Sequence, residues 1–181
     1  MKMCPFRQIK ELQDVTTLDA LVDLLRYRET VLFTKLVEDN KSLLTAGKSK
    51  YQILMRETSD VQQQLAQVYG ERHCLEYCIY ILSTIKNQEN KDLMSKVFRL
   101  YGAEIVQREL TFFIIQGVIG KKAVNNLTPT RHALIKDIAA RATDLLDCMN
   151  IPKHALYAPI AANYLKYNES ANQGEVIGAK M

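Results

Sequence analysis

The chain has 181 residues, 48% of them hydrophobic and 24% charged, with only 7 Gly and 4 Pro. This composition excludes a disordered chain and suffices for one domain with a real core built from good helix formers. The net charge of +4 comes from basic residues interleaved with Asp and Glu; a nucleic-acid binder concentrates its basic residues, so no nucleic-acid partner is expected.

Residues 1–15 read as a lead-in, with Pro5 preventing a helix before it. A first helix is expected from Thr16 or Thr17, where Thr16 and Asp19 fit a weak capping box. Leu18, Val22, Leu25, Leu32, Leu36 and Leu43 form one helix face, interrupted at Glu29, and Gly47 is the natural stop. A second helix is expected from Lys48 to Lys86. Its seam runs through Leu54, Thr58, Val61, Leu65, Val68, Arg72, Leu75, Ile79 and Leu82 at alternating spacings of 4 and 3. Gly70 lies inside this helix and costs about 1 kcal/mol relative to Ala.

A polar loop at Asn87–Asn90 leads to a third helix, with Asn90 as the expected N-cap. Leu110, Phe112, Phe113, Ile114 and Ile115 make its end apolar nearly all round, a pattern of burial on more than one side. Gly117 and Gly120 mark the stop. Thr128-Pro129 reads as the start of a fourth helix, an N-cap followed by Pro at the first helical position. That helix carries Leu134, Ile138, Ala142, Leu145 and Met149 and ends at Asn150-Ile151-Pro152. The expectation is an all-α, antiparallel bundle of about four long helices over residues 16–152, with an irregular tail over 153–181.

No arrangement of side chains specifies chemistry on its own. His73, Cys74 and Cys78 come nearest to a metal cluster, but no second ligand pair has matching spacing, so the cysteines read as small core residues and no metal is expected. Cys4 and Cys148 add no disulfide framework. Nothing local orients His73, His132 or His154 against a thiol nucleophile. Glu71, Glu76, Glu104 and Glu109 read as a solvated helix face. Gly117-x-x-Gly120-Lys121-Lys122 resembles a phosphate loop only superficially and reads as a helix C-cap, the wrong dipole end for an anion. Arg72 occupies a seam position; snorkelling or a pair with Glu76 is favoured modestly over a buried partner such as Glu29. The N-terminal residues lack the apolar core of a secretory signal, so the N-x-S/T sequences at Asn40, Asn126 and Asn168 read as chance matches. The longest apolar stretch, within Phe112–Ile119, is far short of the ~20 residues that span a bilayer, so no membrane partner is expected.

The extreme C-terminus, Ala179-Lys180-Met181, has the small–basic–apolar order of the S-K-L peroxisomal address.

The order and spacing of several segments are those of a known family. These are Leu18 to Arg28, Gln64 to Cys78, Leu100-Tyr101-Gly102, Leu145 to Leu156 with its Ile151-Pro152 exit, and Pro159-Ile160-Ala161. Together they resemble the C-terminal helical domain of peroxisomal acyl-CoA oxidases, from about Leu18 to the tail. Lys153 departs from that pattern where an acidic residue is usual, as do Ala161 and Asn163 near Gly and Asp-Gly positions.

The resemblance implies an FAD-dependent oxidase that removes hydrogens from Cα and Cβ of a fatty acyl-CoA and passes electrons to O2. In that family the flavin, the substrate and the catalytic Glu belong to preceding domains. The resemblance therefore assigns no catalytic residue here and no flavin to this chain alone. It implies packing against those flavin and catalytic domains, a homodimer, recognition of Ala179-Lys180-Met181 by the peroxisomal import receptor, and a peroxisomal location. A non-enzymatic helical interaction module is the alternative.

Overall fold

A computed structural model of the chain describes residues 14–152 and residue 165. The expected address Ala179-Lys180-Met181, the lead-in up to residue 13 and the Pro159-Ile160-Ala161 segment lie outside the described residues. The chain divides into two compact units, Met1–Ala140 and Arg141–Met181.

Within the first unit every regular element of the described residues is helical: α1 (Leu18–Thr45), a one-turn α2 (Lys50–Gln52) continued by a π-helical turn (Ile53–Glu57), α3 (Ser59–Thr84), α4 (Gln88–Arg108), α5 (Leu110–Ile115) and α6 (Lys121–Ala139). The all-α expectation holds. Cross-helix contacts fix the directions. Arg26 pairs with Glu76 and Arg72 with Glu29, so α1 and α3 are antiparallel. Arg99 Nε donates to the Thr16 carbonyl at 2.8 Å while Arg28 meets Glu109 beyond the end of α4, so α1 and α4 run parallel. Lys96 pairs with Asp137 and Glu104 with Arg131, so α4 and α6 are antiparallel. The long helices alternate in direction along the chain.

Leu21, Leu24 and Leu25 of α1, Leu75 of α3, Val106 of α4 and Phe113 of α5 are fully buried together at the centre. Gly102 lets α4 approach this cluster closely: a Cβ there would lie 2.9 Å from Leu21 Cδ1 and 3.2 Å from Leu75 Cδ2. The seam expected for the second helix is the inward face of α3, with Val68, Leu75 and Leu82 buried along it.

The helix ends differ from the sequence reading in several places. Thr17, not Thr16, caps α1 through the Ala20 amide, while Thr16 donates through its amide and its hydroxyl to Asp14 Oδ1 at 2.8 and 2.7 Å. Gly47 ends α1 as expected, at φ +79°, with the Lys48 amide reaching back to the Leu43 carbonyl. The expected second helix is broken at Thr58. The Thr58 amide donates to the Ile53 carbonyl, five residues back, at 3.0 Å, and its hydroxyl donates to the same oxygen at 2.9 Å. The Leu54 carbonyl freed by the break accepts from the Gln62 side-chain amide at 3.1 Å. Asn87, not Asn90, caps α4, because its side chain accepts from the Asn90 amide at 3.0 Å.

The largest difference is α6. It begins after Gly120 and carries Pro129 inside it. Pro129 looked like a helix start because Pro is well suited to the first helical position. Burial decides otherwise: Ala123 and Leu127, both upstream of Pro129, are 0% and 1% exposed and need the helical face that packs on α4. The face expected to continue through Ala142 stops at Ala139. Likewise α5 is buried on one side only, with Phe113 enclosed and Ile114 and Ile115 50% and 75% exposed.

The second unit contains α7 (Ala142–Cys148), whose Asp144 pairs with Arg141. It closes at Asn150, which has φ +46°. No helix among the described residues is long and apolar enough to cross a membrane.

Candidate functional site

Glu71, Arg72 and Glu76 of α3 point inward, into the angle between α1, α3 and the α4–α5 junction, while Asp60 in its first turn is exposed. Arg28 of α1 is the enclosed member, its side chain 7% exposed. Its guanidinium donates to Glu109 at 2.9 Å, stands 3.7 Å from Glu71 of α3, and lies over the Phe112 ring at 5.9 Å. Desolvation pulls the Arg28 pKa below the usual guanidinium range, opposed by the two carboxylates. Arg108, half exposed, closes the square by pairing with both Glu71 and Glu109. At the next position of α1, Glu29 pairs with Arg72, which also donates to Glu76 at 2.6 Å, and Glu76 accepts from Arg26 at 2.8 Å.

Both accounts of Arg72 therefore hold, the i,i+4 pair and the cross-helix pair with Glu29. Glu71, Glu76 and Glu109 are not a solvated face; they are partly buried partners of arginines, and Glu104 alone of the four is exposed, paired with Arg131. A buried charge is costly unless paired and hydrogen-bonded, and Arg28 Nη1 and Glu71 Oε2 face each other at 3.7 Å with no hydrogen bond, so the network is weak evidence for stability. Sequence reading missed Arg28. Its one visible signal was a spacing of seven from Leu21, which puts it on the buried face of α1.

Beside this network, Cys74 and Cys78 lie on the side of α3 near Tyr101 of α4, but Cys74 is exposed and Cys78 half-buried, so they are not the core residues the sequence suggested. Burial, with Cys74 next to it, pushes the Cys78 thiol up to about 11. Burial and a hydrogen bond with Cys74 push the Tyr101 hydroxyl up to about 12. Both groups stay protonated at neutral pH, which opposes a thiolate nucleophile at Cys78. His73 turns away to meet Tyr69 edge-on at 4.3 Å. Among the described residues no three His, Cys, Asp or Glu side chains are placed to hold a metal ion. His132 is exposed on α6, and His154 and Cys4 lie outside the described residues.

The Gly120-Lys121-Lys122 segment stands opposite to expectation. Gly117, at φ +66°, ends α5, but Gly120 opens α6, so the lysines sit at a helix N-terminus. An open cleft of about 370 Å³ lies between α1 and α3, lined by Asp19, Val22, Asp23, Arg26, Glu76 and Ile79. Its three carboxylates against one arginine repel a diphosphate, so it does not fit a dinucleotide such as FAD.

The geometry is thus that of a helical unit whose partly buried ionic groups pair with one another across its helices. A family model described as acyl-CoA oxidase matches residues 17–164, which takes in all the long helices. No curated protein and no solved structure matches the chain. With most of its length covered by that match, the chain belongs to the acyl-CoA oxidase family.

Proposed function

We propose that the chain acts as the C-terminal helical part of an FAD-dependent acyl-CoA oxidase, which converts a fatty acyl-CoA and O2 to a trans-2-enoyl-CoA and H2O2 in the first step of peroxisomal β-oxidation. The supporting observation is the family match across residues 17–164. Its role is to pack against the preceding flavin and catalytic domains and to shape a homodimer; no residue of this chain enters the reaction. Ala179-Lys180-Met181, with its small–basic–apolar order, serves as the peroxisomal address for the import receptor.

The test compares two preparations. The 181-residue chain alone is expected to purify without flavin and to yield no acyl-CoA-dependent H2O2. The same chain joined in frame to a flavin-binding oxidase core from this family should give both. Stoichiometric flavin in the chain alone, or an inactive but folded fusion, overturns the reading. For the address, residues 170–181 are appended to a fluorescent protein with and without Met181. Punctate signal lost without Met181 supports it; diffuse signal from both refutes it.

A second reading, a non-enzymatic helical interaction module, draws on the exposed Ile114 and Ile115. A fusion that gains no activity while the chain still binds another helical protein would favour it.

A further inference from the structure

A helix that packs on one side usually turns its charges to water. In α3 the arrangement is reversed. Glu71, Arg72 and Glu76 have side chains only 13%, 12% and 27% exposed, directed to α1 and the α4–α5 junction. Between Val61 and Thr84 no exposed residue carries a formal charge. The outer face instead presents Ala66, Gly70, Tyr69, His73, Tyr77 and Tyr80, with Tyr77 and Tyr80 64% and 61% exposed. Exposed positions of α1 and α6 do carry charge, at Lys35, Glu38, Lys121, Lys136 and Asp137. Charge depletion with tyrosine enrichment marks the centre of a protein interface rather than ordinary surface.

Gly70 sharpens this. It costs the helix about 1 kcal/mol relative to Ala, and its own chain does not require it: a Cβ there would meet no atom within 4 Å. It has a use if a second helix crosses α3 at that point, since a missing side chain admits a close backbone approach.

We propose that this face of α3 docks on the same face of a second copy of the chain, the two α3 helices crossing at Gly70. A self-facing patch brings each charge against its like near the two-fold axis, so an uncharged surface suits a copy of itself. The strip from Gln63 to Tyr80 is about 27 Å long at 1.5 Å per residue. With a width of about 10–15 Å it offers about a third to a half of the ~800 Å² per partner of a standard interface. The dimer through this face alone is therefore weak and concentration-dependent. The inference rests on the homodimer part of the proposed function and gives it a surface.

The experiment is sedimentation equilibrium of the full chain, from micromolar to near-millimolar concentration, for the natural sequence, Gly70→Leu and Tyr77→Glu. The natural chain is expected to shift from monomer to dimer, and each variant to weaken the association by about tenfold or more. Gly70→Leu enters open space in the monomer and favours helix, so an unchanged or raised melting temperature shows that it folds. A dimer as tight in both variants as in the natural chain overturns the α3 face and leaves the homodimer standing. A natural chain that stays monomeric throughout overturns both.

Discussion

Two glycines in helix interiors should respond in opposite directions to the same substitution. Gly→Ala gains about 1 kcal/mol from helix propensity alone. At Gly70 nothing opposes this gain, because the new methyl meets no atom within 4 Å. At Gly102 the methyl would lie 2.9 Å from Leu21 Cδ1, 3.2 Å from Leu21 Cβ and 3.2 Å from Leu75 Cδ2. The Cδ1 atom can rotate aside, but Leu21 Cβ is tied to the backbone of α1, and both leucines are fully buried. The helices must therefore separate by a few tenths of an ångström, an overpacking cost of about 1–3 kcal/mol. The net expectation is a gain of about 1 kcal/mol for Gly70→Ala and a loss of about 1 kcal/mol for Gly102→Ala. At about 2–4 °C per kcal/mol for a chain of this size, the two variants should melt about 4–8 °C apart. Circular dichroism melts on dilute protein, where self-association is negligible, measure this. A Gly102→Ala chain at least as stable as the natural one would show that α1 and α4 are not in close contact, and would refute the argument.

Arg28→Met should cost about 2–3 kcal/mol in urea denaturation, below the full ~3–5 kcal/mol of a broken buried pair, because Glu71 and Glu109 keep Arg108 as a partner. Arg108→Met, removing a guanidinium that is 49% exposed, should cost under about 1 kcal/mol; equal costs would contradict the burial difference. Pro129→Ala should raise stability by about 1–3 kcal/mol, since the new amide can donate to the Asn125 carbonyl within α6; a loss would mean that α6 does not run through that position. Stability should also fall in alkali. Cys78 and Tyr101 have raised pKa values in the fold, so their contribution is complete below the ordinary thiol and phenol ranges. It is lost as pH climbs through about 11 and about 12. Cys78→Ala should flatten the lower part of that decline in denaturation curves taken at increasing pH, and an unchanged profile would count against a buried Cys78 thiol.

What the sequence made legible was periodic burial. The seam of α3 follows directly from the alternating spacing of Val61, Leu65, Val68, Leu75, Ile79 and Leu82, and Gly47 ended α1 because its positive φ excludes most side chains. Local end signals were less informative, because tertiary packing overrules them. Thr128-Pro129 is a sound helix start in isolation, yet Ala123 and Leu127 are enclosed only if the helix has already begun. The break at Thr58 was hidden because Leu54 keeps the seam's spacing in the sequence, whereas the added residue puts Ile53 on the buried side, 3% exposed, and leaves Leu54 47% exposed. The ionic network was half visible. Arg72 interrupted an apolar seam and so drew attention to Glu29, whereas Glu71 and Glu109 looked like ordinary helix surface until α1 delivered Arg28 between them.

The π turn at Ile53–Glu57 sets where this chain can change length. Removing a single residue from α3 would rotate everything beyond it by about 100° and turn Val68, Leu75 and Leu82 away from the core. Within the π turn the same deletion only converts an i→i+5 bond to an i→i+4 bond, and the seam after Thr58 keeps its phase. Related chains should therefore differ by one residue between Gln52 and Ser59 far more readily than between Val61 and Leu82, with an unbroken α-helix wherever the shorter form occurs.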